Sequence, residues 1–175
     1  MTTKTSINTK TLVIMALFIG LSFAGSYIRI FGSIAFDSMP GFLAALLLGP
    51  VYGAVIGLLG HLFTALISGF PLSPPLHLVI AFTMALTMYG FGITYRKVKE
   101  KFSETTVFGL TGVVGVVLNA PISLAFSMGT LRLMAGREAA LGLLALLPIL
   151  TIAAVANVVI SILLFKSLEK IWKKS

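Results

Sequence analysis

Met39-Pro40-Gly41-Phe42-Leu43-Ala44-Ala45-Leu46-Leu47-Leu48-Gly49-Pro50-Val51-Tyr52-Gly53 decides how this chain is threaded. Pro40 suits the first turn of a helix, where its missing N–H is an unsatisfied donor in any case. Asp37 and Ser38, just upstream, can cap that helix. Gly49-Pro50 then ends it and opens the next one. The enclosed helix, 39–48, is apolar throughout but rises only about 15 Å, half the hydrocarbon thickness of a bilayer. Whether it carries the chain across fixes the side on which everything downstream lies.

Outward from this junction the apolar runs recur at about membrane-spanning length. We read helices over 11–30, 39–48, 50–67, 76–95, 106–127 and 143–167, within one membrane domain covering 1–175. The chain is 58% hydrophobic and only 10% charged, where a soluble domain has roughly a quarter of its residues charged. The expectation is an all-α bundle of six transmembrane helices. The first apolar run continues through Ile28 and is followed by further spans, so a retained helix is expected rather than a cleaved signal.

Charge selects the topology. If 39–48 crosses, the cytoplasmic side receives Lys4, Lys10, Arg96, Lys97, Lys99, Lys101, Lys166, Lys170, Lys173 and Lys174. The outer side keeps only Arg29, Arg132 and Arg137. If it does not cross, the basic turn after 95 lands outside. The positive-inside rule therefore favours six passes with both termini in the cytoplasm and a multi-pass plasma-membrane location. A short second helix must then be sheltered by its neighbours, because irregular backbone is unstable against lipid.

Several function classes drop out. The net charge of +8 gathers at helix ends, as topology anchors and lipid contacts do, without the interleaved basic and aromatic stripe of a nucleic-acid face. There is no cysteine, hence no thiolate site. A histidine pair, His61 and His77, lacks both HExxH spacing and a carboxylate companion, so no metal and no cofactor is expected. No Gly-x-x-x-x-Gly-Lys-Ser/Thr loop is present, and no span contains a carboxylate to carry a proton or sodium ion.

Polar residues inside spans are costly, so their depth is informative. His61, Thr64, His77, Thr83, Thr87, Asn119, Ser123 and Thr151 all fall toward the outer side of the expected topology, with Asn157 near mid-membrane. That asymmetry suggests a pocket open to the outside, roofed by Gly69–Pro75 and by a loop 129–142 carrying Arg132, Arg137 and Glu138. The candidate substrate-binding residues are His61, Thr64, Phe70, His77, Phe82, Asn119, Ser123 and Tyr27, with Phe126 as a further aromatic wall. Each has a plainer reading. The histidines and asparagines can serve as interhelical hydrogen-bonding groups, the aromatics can face lipid, and the arginines can be surface residues.

Ala16, Gly20 and Ala24 lie four apart on one face of the first helix. Small residues at that spacing let helices approach closely in lipid, within the chain or against another membrane protein. The second option carries weight because a concentrating carrier without its own energy source needs a separate motor.

Taken together, the small-residue face Ala16, Gly20, Ala24 and the Met39–Gly53 stretch resemble the substrate-binding (S) components of energy-coupling factor (ECF) transporters, along essentially the whole chain. The resemblance implies capture of a vitamin or precursor from outside. It also implies docking through helix 1 onto a transmembrane coupling protein (the T component) driven by two cytoplasmic ATPases, then toppling and release inside. The segment Gly60–Leu72, followed by Pro75-Leu76-His77, looks like the subgroup for α-ribazole, the dimethylbenzimidazole nucleoside of cobalamin salvage. A flat benzimidazole would stack on Phe or Tyr, and ribose hydroxyls would pair with His61, His77, Thr64 and Asn119. Riboflavin, a pyrimidine or a queuosine-type base are alternatives. Two other classes remain: a membrane enzyme using His61 and His77 as acid and base, which lacks a nucleophile, and a structural subunit of a larger complex.

Overall fold

A computed structural model describes residues 8–31 and 34–172. Lys4, Gly32, Ser33, Lys173 and Lys174 lie outside the described residues.

Asn8 caps the first helix, α1 (Thr9–Gly25), by accepting from the Lys10 N–H at 3.1 Å. The helix ends at Gly25, short of the expected 30, because Ser26 turns its hydroxyl back onto the Phe23 carbonyl at 2.6 Å. The chain then forms a small antiparallel hairpin, β1 (Arg29–Phe31) with β2 (Ile34–Ala35), where sequence reading places only a polar break.

The helix α2 (Met39–Leu47) has nine residues, a rise of about 14 Å. Every residue from Pro40 to Leu46 is buried. It packs against α1, α3 (Pro50–Ile67), α4 (Pro74–Val98) and α8 (Leu147–Trp172), which is the shelter a half-length helix needs in lipid. Gly49, at φ +118, makes the reversal that other residues resist. A side chain on Gly53 would run into the backbone of Ala45, so the two arms of the junction lie in direct contact.

α2 does carry the chain from one end of the bundle to the other. Its C-terminal carbonyl at Leu48 accepts from Arg96 Nη2 at 3.5 Å, next to the end of α4. The same end holds Glu104, which opens α5 (Glu104–Val117) and pairs with Lys166 of α8 at 2.6 Å. Tyr95 stacks on Phe108 and meets Phe165 edge-on there. Lys97, Lys99, Lys101, Lys166 and Lys170 are all exposed at this end, which the positive-inside rule assigns to the cytoplasm.

The fifth helix differs from its expected 106–127. α5 passes through a π turn, Leu118–Ile122, and continues as α6 (Ser123–Ala135). Pro121 sits inside the turn. Proline has no N–H to give to the preceding turn, and an i→i+5 pattern absorbs that gap without ending the helix. The expected loop 129–142 is therefore helical apart from Gly136, whose φ of +88 makes a one-residue reversal into α7 (Arg137–Gly142). A 3-10 turn, Leu143–Leu146, leads into α8. Arg132, Arg137 and Glu138 are exposed on these helices.

Pro50–Ile67, Pro74–Val98, Glu104–Ala135 and Arg137–Lys170 are long and apolar enough to cross a bilayer, and Thr9–Gly25 is a shorter apolar helix. The protein is a multi-pass membrane bundle. Its main core, around Phe42, Ile56, Met88, Phe91, Val158 and Phe165, fills the basic end. The opposite end is where polar side chains collect.

Candidate functional site

At that opposite end a cavity of about 90 Å³ opens between the start of α2 and α3, α4, the π turn, α6 and α8. Its polar lining is Asp37, Ser38, His61, Asn119, Ser123, Ser127 and Asn157, and its apolar lining includes Leu72, Ile80, Met84, Leu124, Leu143, Leu146 and Leu150.

Asp37 is the residue that sequence reading misplaces. Its position, with Ser38, suits a helix cap, yet no side-chain cap bond forms at Ser38. Asp37 is instead 95% buried against the cavity, accepting from the Ser38 hydroxyl at 3.2 Å. The helix is capped across the bundle: the Met39 N–H donates to Asn157 Oδ1 at 2.9 Å, while Asn157 Nδ2 donates to the Ala153 carbonyl at 2.9 Å. Asn157 thus ties α8 to the first turn of α2, satisfying one of its exposed donors.

His61 Nδ1 stands 3.7 Å from Asp37 Oδ2. Its Nε2 is 3.2 Å from His77 Nδ1, so one ring supplies the proton and the other the lone pair. His77 is fully buried, lies behind His61 and does not reach the cavity. Phe70 meets the His77 ring edge-on at 5.8 Å and so supports the pair from behind. Thr64 is also buried away from the cavity, its hydroxyl bonded to the Gly60 carbonyl at 3.0 Å.

The π turn positions the last group. It brings Asn119 and Ser123 to the same wall. The Thr83 hydroxyl donates to the Ile80 carbonyl at 2.8 Å, so Ser123 must donate to Thr83 across their 2.8 Å contact. Ser127 donates to the Ser123 carbonyl at 2.9 Å.

Of the eight candidate residues, the cavity gathers His61, Asn119 and Ser123, with His77 and Phe70 behind them. Tyr27 and Phe82 stand outside, 64% and 63% exposed, and Phe126 is exposed as well. Phe82 is one step round α4 from buried Ala81 and Thr83, which places its ring outward. Tyr27 lies in the turn after α1, edge-on to Phe23 at 5.7 Å. The walls are aliphatic where aromatic rings were expected. Asp37, Ser38 and Ser127 join the site unforeseen, and Asn157, expected near mid-membrane, lines it as well; Asp37 was legible as the lone acid between Met1 and Arg96. Among the described residues no group of three His, Cys, Asp or Glu side chains could hold a metal ion.

A second surface is the small-residue face of α1. Ala16, Gly20 and Ala24 are all exposed, and nothing lies within 4 Å of where a Gly20 side chain would begin. Phe18 and Ser22 are the buried residues of α1, and Ile14, Met15 and Ile19 pack against the core beside them.

A family model described as ECF transporter, substrate-specific component, matches residues 10–168. No curated protein and no solved structure matches the chain.

Proposed function

The chain belongs to the substrate-specific components of ECF transporters, and from that premise we propose that it captures a small aromatic vitamin or precursor outside the cell and delivers it to an ATP-driven partner. The observation that carries this reading is the cavity. Asp37, His61 and Asn119, each more than nine-tenths buried, face one cavity with Ser123 and Asn157 beside them. Buried polar groups without water are costly, so a site that keeps several of them open is built for a ligand.

The substrate we put first is α-ribazole or a related dimethylbenzimidazole compound, on the likeness of Gly60–Leu72 and Pro75-Leu76-His77 to that subgroup. The flat ring would lie between Met84, Ile80 and Leu150, aliphatic faces that suit an apolar heterocycle. A fused ring with a sugar is larger than the cavity as it stands, so lining side chains such as Leu72 would have to swing aside. The small volume favours a single-ring pyrimidine as the second reading.

Energy comes from elsewhere, since the sequence contains no phosphate loop. The exposed Ala16, Gly20, Ala24 face is suited to docking a transmembrane coupling protein with its two ATPases, because small residues allow close helix approach in lipid. Copurification from membranes, followed by uptake of labelled α-ribazole in proteoliposomes, tests the reading. An ATPase-containing complex with ATP-dependent uptake is expected. Uptake by the isolated chain without any ATPase would contradict it.

A further inference from the structure

The hydroxyl hydrogens of the serines that line the cavity are already spent. Ser38 gives its hydroxyl proton to Asp37, Ser123 to Thr83 and Ser127 to the Ser123 carbonyl, and Asn157 gives one amide hydrogen to the Ala153 carbonyl. These hydroxyls can meet a ligand only with their lone pairs, and the Asn119 amide supplies the N–H donors of this wall. Two acceptors have no hydrogen bond at all: Asp37 Oδ2 and Asn119 Oδ1, on residues 5% and 7% exposed. His61 Nδ1 is beyond hydrogen-bond reach of Asp37 Oδ2 at 3.7 Å. No Lys or Arg is among the lining residues.

A buried carboxylate oxygen and a buried amide oxygen left open are costly until something donates to them. An arriving carboxylate or phosphate would bring negative charge toward Asp37 with no Lys or Arg in the lining to offset it. Building on the capture reading above, we infer that the substrate enters as a donor-rich, uncharged or cationic molecule. Its hydroxyl or N–H edge is received by Asp37 and Asn119, and phosphorylated or carboxylate forms of the same compound are refused. The importer would then accept only the free form, and any phosphate the cell needs on it would be added after entry.

Matched pairs test this on the full chain in lipid nanodiscs by calorimetry: α-ribazole, riboflavin and an aminopyrimidine alcohol, each beside its phosphate ester. In any pair that binds, the free alcohol is expected to win by at least about tenfold. Asp37→Asn is expected to weaken that compound about 10- to 100-fold, the range for a hydrogen bond to a charged group. Asn119→Leu, which keeps the bulk and leaves Asp37 intact, is expected to cost about 2- to 10-fold and serves if the first variant does not fold. A phosphate ester binding as tightly as its alcohol, or unchanged affinity in the folded variants, would overturn the inference while leaving capture intact. Binding by none of the six compounds would remove the capture reading and this one with it.

Discussion

His61 and His77 stack with ring centroids 5.4 Å apart and nitrogens 3.2 Å apart, yet only His61 reaches the cavity. The pair joins α3 to α4 and holds the His61 ring in place beside Asp37. Contact and support are thus divided between two residues of the same type.

His61→Ala is expected to lower ligand affinity by about tenfold or more, since it removes a ring at the cavity wall and opens Asp37 further. His77→Ala leaves His61 Nε2 without its partner, so it is expected to reduce the melting temperature as well as affinity. Calorimetry paired with thermal melts separates the two. A His77→Ala protein with a wild-type melt and an affinity loss equal to that of His61→Ala would mean that His77 itself touches substrate.

Pro121 holds the π turn from which Asn119 projects. Pro121→Ala restores an N–H and lets the segment relax toward an ordinary α-helix, rotating Asn119 out of register. The folded variant is expected to bind several-fold more weakly with little loss of stability. Affinity equal to wild type would show that the turn does not position the site.

Gly20→Leu places a bulky side chain on the open face of α1, where no neighbour within the chain is disturbed. Substrate binding by the purified protein is expected to be unchanged and cellular uptake to be lost. Persisting uptake would mean that the coupling partner docks elsewhere.

Asn157→Leu keeps the volume but strips the Met39 N–H of its acceptor. A buried donor left unsatisfied costs about 1–3 kcal/mol, so a clear drop in melting temperature is expected. An unchanged melt would mean that the start of α2 does not depend on this bond.

The reversal at Gly49-Pro50 is legible in the sequence because both residues act locally: one allows positive φ and the other opens a helix. The basic turn at Arg96–Lys101 is legible for a similar reason, since charge cannot be hidden in lipid. What escapes is what other elements decide. The run from Thr106 to Ala135 reads as a helix followed by a loop, because proline and glycine usually punctuate. Only the π turn shows how the helix passes Pro121. Asp37 reads as a cap because its sequence position suits one, while Asn157, far along the chain, takes that task and frees the carboxylate for the cavity. Phe82 and Tyr27 read as walls because aromatic content says nothing of which way a ring faces. The polar residues His61, Asn119 and Ser123 were findable by depth alone.

The most direct measurement is mass spectrometry of small molecules released from the purified protein, wild type beside the double variant His61→Ala, Asn119→Ala. A heterocyclic compound without a phosphate or carboxylate group, bound near one per chain to wild type and absent from the folded double variant, is the expected result. The same compound retained equally by both proteins would contradict a substrate site in this cavity.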